Sequence, residues 1–415
     1  MQNFKFRRVS SAIALAMTCL LPSMFCGCDL QKNEMETIHL TIASDVAAEN
    51  ILEQQIAKFQ SLHSSELILS YTIKDVSDDN LLKSPRTSSD IFCIANDQVD
   101  ELYKSGALLE ITEDTDKILA DIGGAGTTAA EVVTRDGKIY GYPISSGNGY
   151  FLYYNKSYFS ESDVDQLDRI LEIAAQNEKK FTMDFSSGWY LFSFFKGAGL
   201  NLEYNEEKAA NICTWNSRDA QHSGVSVAEA MLDITANPGF LNLPNDQFID
   251  QIENGDVIAG VSGQWNAEEL SALWGDDYAA TKLPTYTLDG EQVQMASFTG
   301  YRILGVNAYT ESPTWAMRLA EYLSEEETQL MRFESTGQCP ANVNAANSEK
   351  VQASPAVAAT AEQAPYSYIQ HVADPFWDAS SNLGTILANG NPDGMELQAL
   401  LDKTVSQIIV PVKTN

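Results

Sequence analysis

The sequence predicts an α/β chain folded into two lobes, each with a mixed, mostly parallel sheet flanked by helices. Three observations carry this. Runs of period-two or wholly apolar residues alternate with amphipathic runs of helical period, the rhythm of βαβ units and a largely parallel sheet. The alternation occurs twice over, and no repeat, low-complexity block or long Gly/Ser linker separates the two stretches. Once a leader is set aside, roughly 380 residues remain, more than one hydrophobic core holds.

The leader is residues 1–27. "MQNFKFRR" is a positive n-region, "VSSAIALAMTCLL" an apolar h-region and "MFCGC" a small-residue exit, which together read as a secretory signal. The exit resembles a bacterial lipobox with Gly27 before Cys28, although Phe25 and Cys26 stand where Leu and Ala or Ser are usual. Cys28 is the expected site of lipid attachment, with residues 28–36 as a polar tether. An ordinary signal peptide ending on a chance Cys is the alternative. A single acylated Cys anchors a chain to a membrane and does not span it.

The elements follow in order. "TIHLTIAS" alternates as a strand, and the stretch after it places Leu52, Ile56 and Phe59 on one helical face. "ELILSYTI" and "SDIFCIAND" are strands, the second apolar enough to be central. "QVDELYKSGALLEI" is a helix, and "RDGKIYGYPISS" a hairpin with Asp-Gly punctuation. "NGYFLYYNKSYF" continues in β-formers, "SDVDQLDRILEIAAQNEKK" is helical, "FTMDF" a strand and "GWYLFSFFKGAG" a short helix. "DVIAGVSGQW" leads as a strand into the helix "NAEELSALWGDD". "SFTGYRILGVNA" reads as a strand pair, "PTWAMRLAEYLSEEETQLMRFES" as one long helix, and 348–367 as a connection or a loosely packed helix.

Composition excludes several functions. The formal charge is −31; loss of Lys5, Arg7 and Arg8 with the leader takes it to −34, against nucleic-acid binding, which needs clustered Lys and Arg. Past Cys28 only Cys93, Cys213 and Cys339 remain, too few and too scattered for a disulfide scaffold. The four His (39, 63, 222 and 371) show no ligand spacing, so no metal is expected. "GGAGTT" lacks a preceding strand and a Lys, and no G-x-S-x-G is present.

The stretch "DPFWDASSN" holds the sharpest local signal. Asp374 is a candidate N-cap and Pro375 the first helical residue. Phe376 then shares a face with Leu383 and Leu387, while Trp377 lies about 100° away. Trp189 opens the "GWYLFSFF" helix, and Trp265 ends a strand after Ser262-Gly263-Gln264. Three indoles at element ends, beside Gly, Ser, Asn or Gln, suit a ligand with an apolar face and many hydroxyls, which describes a sugar. Core or rim packing explains the same three residues equally well on composition. Trp274 and Trp315 read as core.

Five stretches in order, "SDIFCIANDQVDELYKSGALLEI", "RDGKIYGYPIS…YFLYYNKSYF", "ENGDVIAGVSGQWNAEEL", "KLPTY" and "TGYRILGVNAYTESPTWAMRLAEYLS", resemble the sugar-binding proteins of ABC importers, and among them the maltose/maltodextrin-binding family. The resemblance spans nearly all of residues 37–411. It implies a type II periplasmic-binding-protein-like fold whose chain crosses between lobes about three times, with lobe 1 at 37–145 plus about 292–347 and lobe 2 at 146–291 plus about 348–415. It implies capture of an oligosaccharide in an interlobe cleft, delivery to the permease membrane subunits, a monomer, no catalysis and no cofactor. It places the protein at the extracytoplasmic face of the cell membrane, or on the periplasmic side where an outer membrane exists.

By position the resemblance assigns ligand contact to Trp265 with Gln264, to Trp377, to Trp189 with Tyr190 in the segment of the third aromatic, to Asp97 and to Asp45. The family's Trp and Arg near that Asp are Ile94 and Gln98 here, and "SSGNGY" replaces an acidic residue, leaving Asn148 and Tyr150 as substitutes. Another oligosaccharide in the same role, a secreted glycoside hydrolase and a surface adhesin remain the competing readings.

Overall fold

The computed structural model describes residues 35–45, 48–76, 79, 81 and 83–412. The leader and the Cys28 anchor therefore lie outside the described residues. No helix among the described residues is long and apolar enough to cross a membrane.

Two five-stranded sheets organise the chain. The first has the order Leu67–Asp75, Glu36–Ser44, Ile91–Ala95, Tyr301–Val306, Tyr142–Ser146. The second has the order Phe240–Asn242, Lys180–Met183, Val257–Ser262, Phe151–Asn155, Tyr278–Thr281. In each sheet four strands run one way and the fourth in order is reversed. The reversal follows from the path of the chain. Tyr142–Ser146 ends at the face between the lobes, so Phe151–Asn155 must start there and run away from it. Tyr301–Val306 makes the same entry in the opposite direction.

Burial follows the sequence pattern. All five residues of Ile91–Ala95 are buried, as a central strand covered on both faces requires. The edge strand buries Leu67 and Leu69 and exposes Ile68 and Ser70. One core gathers Leu40, Phe59, Phe92, Ile303 and Leu319, another Leu152, Phe181, Phe195, Leu383 and Leu401. Phe376 is fully buried in the second with Leu383 and Leu387, as the spacing predicts. Trp215 stacks on Phe195 at 4.2 Å, also in that core.

Three expectations are corrected. "SFTGYRILGVNA" is not a pair: Ser297–Thr299 pairs in parallel with Ser367–Ile369, and Tyr301–Val306 joins the first sheet. Met295, Ala296 and Phe298 pack in the second core, so the return crossing comes after them and later than residue 292. The long helix is two, Pro313–Ser324 and Glu326–Thr336, broken at Glu325 in extended backbone. Side chains satisfy the freed carbonyls there: Thr328 Oγ1 donates to the Tyr322 oxygen at 2.7 Å and Gln329 Nε2 to the Ser324 oxygen at 2.6 Å. The segment 348–367 takes the helical of its two readings, with helices Glu349–Gln352 and Pro355–Gln363.

The crossings are tied by backbone and by one buried amide. Ser146 N–H donates to the Cys339 oxygen at 2.8 Å, and Gln370 N–H to the Thr299 oxygen at 2.8 Å. Asn96 Nδ2 donates to the Gln370 oxygen at 2.7 Å, while its Oδ1 accepts Tyr301 N–H at 2.9 Å. Asn96→Ala removes both bonds and strands one buried and one part-buried backbone group, at an expected cost of about 2 kcal/mol. A chemical-denaturation midpoint unchanged by this substitution would show that the amide does not hold the crossings.

Candidate binding cleft

Ligands in α/β sheets lodge beyond the carboxyl ends of parallel strands, and here those ends from the two sheets face each other. The first sheet presents Asp45 after Ser44, Asn96 and Asp97 after Ala95, and Asn148 after Ser146. The second presents Trp189 at the start of the helix Gly188–Gly197 that follows Met183, and Gln264 and Trp265 after Ser262.

A recess of about 300 Å³ lies between the lobes. Ala95, Asp97, Gln98 and Glu101 line one side; Gln370, Val372, Asp374 and Trp377 line the other. Trp377 is half-buried, resting edge-on against Phe376 at 4.9 Å. Asp374 makes no cap hydrogen bond to the helix Pro375–Ala388; it lines the recess instead of acting as the expected N-cap.

Gln370 joins the two halves. Its Oε1 accepts Trp189 Nε1–H at 2.8 Å, and its Nε2 donates to Asp97 Oδ2 at 2.9 Å. The other Asp97 oxygen, Oδ1, is buried without a hydrogen-bond partner. Burial pushes the Asp97 carboxyl up to about 6, against the opposing pull of the Gln370 bond, a backbone bond and the charges of His371 and Arg302. Burial also raises Glu101 in the same recess, and the Asp374 charge adds to it. The site therefore holds an acceptor in need of a donor, beside an indole.

Trp189 and Trp265 lie side by side, ring centroids 5.7 Å apart and inclined by 32°. Trp189 stands edge-on to Tyr150 at 4.7 Å, and the Tyr150 hydroxyl donates to the Trp189 carbonyl at 2.7 Å. Trp265 folds back over Gly263, where a Cβ would meet its ring at 2.0 Å; only glycine permits that pose. Gly188 serves the approach of two helices, since a Cβ there would lie 1.8 Å from Ser380 Oγ. That contact brings the Trp189 helix against the Trp377 helix.

The remaining sequence-derived candidates hold the cleft from behind. Tyr150 and Tyr190 are 1% and 2% exposed, too deep to meet a ligand; Tyr190 donates to Asn245 Oδ1 at 3.1 Å. Gln264 is spent on the protein: Nε2 donates to Thr360 Oγ1 at 2.9 Å and Oε1 accepts Cys339 N–H at 2.6 Å. Asp45 forms ion pairs with Arg302 and Arg332. Asn148 is half-buried on the crossing, its N–H donating to the Gly300 oxygen at 3.0 Å. Of the candidates, Trp377 and Asp97 line the recess; Trp189 is joined to it through Gln370, and Trp265 lies beside Trp189. Gln370 was missed, because a lone Gln in "YIQHV" carries no local signal beyond alternation.

Two lobes of like topology, joined by several crossings around an indole- and carboxylate-lined recess, have the fold of the type II periplasmic binding proteins. Residues 73–359 match the model of the family described as bacterial extracellular solute-binding protein, and the chain belongs to that family. Among its relatives are a galactooligosaccharide-binding protein of Bacillus subtilis (strain 168), 24% identical over 81% of this chain and 80% of the relative, and the maltodextrin-binding protein MdxE of the same strain, 27% identical over 62% and 61%. Similar solved structures include one described as "with acarbose", 28% identical with TM-score 0.78, covering 91% of this chain and 99% of that one. Another is the maltodextrin binding protein MalE1 from L. casei BL23 without ligand, 23% identical with TM-score 0.69 over 90% and 99%. The Thermus thermophilus maltotriose binding protein bound with maltotriose, 17% identical with TM-score 0.71 over 89% and 98%, shares the fold.

Proposed function

We propose that this protein captures a maltodextrin-type oligosaccharide between its lobes and hands it to the membrane subunits of an ABC permease, as a monomer anchored through lipid on Cys28. The observation that carries the reading is Asp97 Oδ1, buried and unpartnered in a recess that Trp377 also lines. A hydroxyl can donate to that oxygen while the CH face of the same sugar packs on the indole. Contact with both lobes lets the ligand favour one lobe arrangement over another. A relative that binds maltodextrin and a structure described with acarbose support this ligand class. The galactooligosaccharide-binding relative, matched over more of the chain, favours a second reading in which the same cleft takes a galactoside.

A thermal-shift panel on residues 29–415 tests both. It compares maltose to maltoheptaose, galactooligosaccharides, cellooligosaccharides, xylooligosaccharides and raffinose. Ligand at about 100 times its Kd adds about 2.7 kcal/mol, a rise of several degrees for lobes of this size. A shift confined to α-glucans is expected; one confined to galactosides would replace the ligand, and none at all would remove the sugar reading. Mass spectrometry of maltoheptaose after incubation is expected to show it intact. Shortened products would make the protein a hydrolase.

A further inference from the structure

We propose that Asp100, Glu206 and His371 bind a divalent transition-metal ion on the face of the crossing opposite the recess. The crossing segment that follows Ser367–Ile369 alternates its side chains. Gln370 and Val372 line the recess described above, whereas Ile369 and His371 line a second one of about 490 Å³. The helix Gln98–Lys104 divides in the same way: Gln98 and Glu101 face the first recess, and Asp100, Tyr103 and Lys104 the second.

One ligand atom each from Asp100, Glu206 and His371 lies within 4.8 Å of the other two. His371 Nε2 is 3.2 Å from Asp100 Oδ2. The second oxygen of Asp100 is held by Arg135 Nε, whose guanidinium also donates to the Glu131 and Thr134 carbonyls. That is the kind of outer support that fixes a ligating carboxylate in place. The Tyr204 ring lies 4.9 Å from the His371 ring and limits its tilt.

The donor set is one imidazole and two carboxylates, suited to zinc and its first-row neighbours and poor for calcium, which prefers oxygen alone. Three protein ligands leave a fourth position for water. With neutral His371, the charged residues of this recess are Asp100, Glu131 and Glu206 against Lys104 and Arg135, a sum of one negative charge, which favours a dication. The three ligands come from a first-lobe helix, from the crossing and from the loop after Leu202–Asn205, a strand packed in the second core. A bound ion therefore ties the lobes together at the hinge. The other histidines are engaged elsewhere: His39 with Ser70 and Thr72, His63 against Phe59, and His222 with Asp289.

Calorimetric titration of metal-free protein with zinc tests the site, using wild type, His371→Ala and Glu206→Gln, with metal-free melting temperatures as the folding control. One zinc per chain is expected in wild type, bound at least tenfold more weakly in each variant. No zinc uptake by wild type overturns the proposal. Uptake of equal affinity in the folded variants also overturns it, assigning the metal to the general acidic surface. Should His371→Ala fail to fold, Glu206→Gln decides, because Glu206 is exposed, its side chain makes no hydrogen bond among the described residues, and its one backbone bond, accepting Ala209 N–H, survives the substitution.

Discussion

Trp377→Ala is expected to weaken oligosaccharide binding about a hundredfold while leaving the fold intact. Stacking adds roughly 0.5–1.5 kcal/mol beyond area burial, and about 80 Å² of indole face removed from water adds roughly 2 kcal/mol. Together these come to about 3 kcal/mol, or two decades of Kd. Stability should change little, because Trp377 is only half-buried and packs at the edge of the second core. The neighbouring Phe376, fully buried, has the opposite role: Phe376→Ala opens a core cavity costing about 3–5 kcal/mol. Trp377→Phe keeps a smaller platform and is expected to lose less than tenfold. Calorimetry on the sugar chosen by the thermal panel makes the comparison. An affinity within twofold of wild type in Trp377→Ala would remove this indole from the ligand surface.

Asp97→Asn is expected to weaken binding about ten- to hundredfold at pH 7.5 and to flatten its pH dependence. A hydrogen bond to a charged group contributes about 1.5–3 kcal/mol, and the amide keeps the shape without the charge. In the free protein Asp97 titrates near 6, above the ordinary 3.8, because burial disfavours the carboxylate. A hydroxyl donating to Oδ1 stabilises the carboxylate, so the bound form titrates lower and binding releases a proton between the two values. Affinity is therefore full above pH 6 and falls as the solution is acidified through it. Stability without sugar has the reverse sign. The folded state holds this proton more tightly than the unfolded chain, so the contribution is complete below about 3.8 and is lost as pH rises through 6. Glu101 and Asp374 share the recess, and His371 and Arg302 reach Asp97 with their fields; the Asn variant separates Asp97 from them. A wild-type affinity constant from pH 5 to 7.5 would show that the sugar does not use this oxygen.

Much of the fold was legible because burial imprints periodicity. The apolar run Ile91–Ala95, the alternation at Leu67 and Leu69, and the Phe376, Leu383, Leu387 row each name a face, and each face is buried where the pattern puts it. The errors arose where local pattern is degenerate. Ser297–Thr299 and Tyr301–Val306 both read as strands, yet nothing in either run says which sheet it will join. Glu325 breaks a helix in a segment of strong helix formers, and the side chains that make the break tolerable lie three and four residues later.

The site divides in the same way. Trp189, Trp265 and Trp377 could be singled out in the sequence because a large apolar side chain at an element end, off the core face, is conspicuous. Tyr150, Tyr190 and Gln264 were near the right place, but sequence position does not tell a ligand contact from the support beneath it; burial and hydrogen bonds do. By itself the sequence determined the class of fold and the order of most of its elements, and it singled out Trp189, Trp265 and Trp377, since these rest on periodicity and on residues within a few positions of one another. Only the tertiary structure decided that Gln370 bridges Trp189 and Asp97, that Asp45 is paired to two arginines, and that His371 meets Asp100 and Glu206. Those pairs are separated by up to 287 positions along the chain, and polar groups so far apart leave no periodic trace: what joins them is the folding of two lobes around shared crossings.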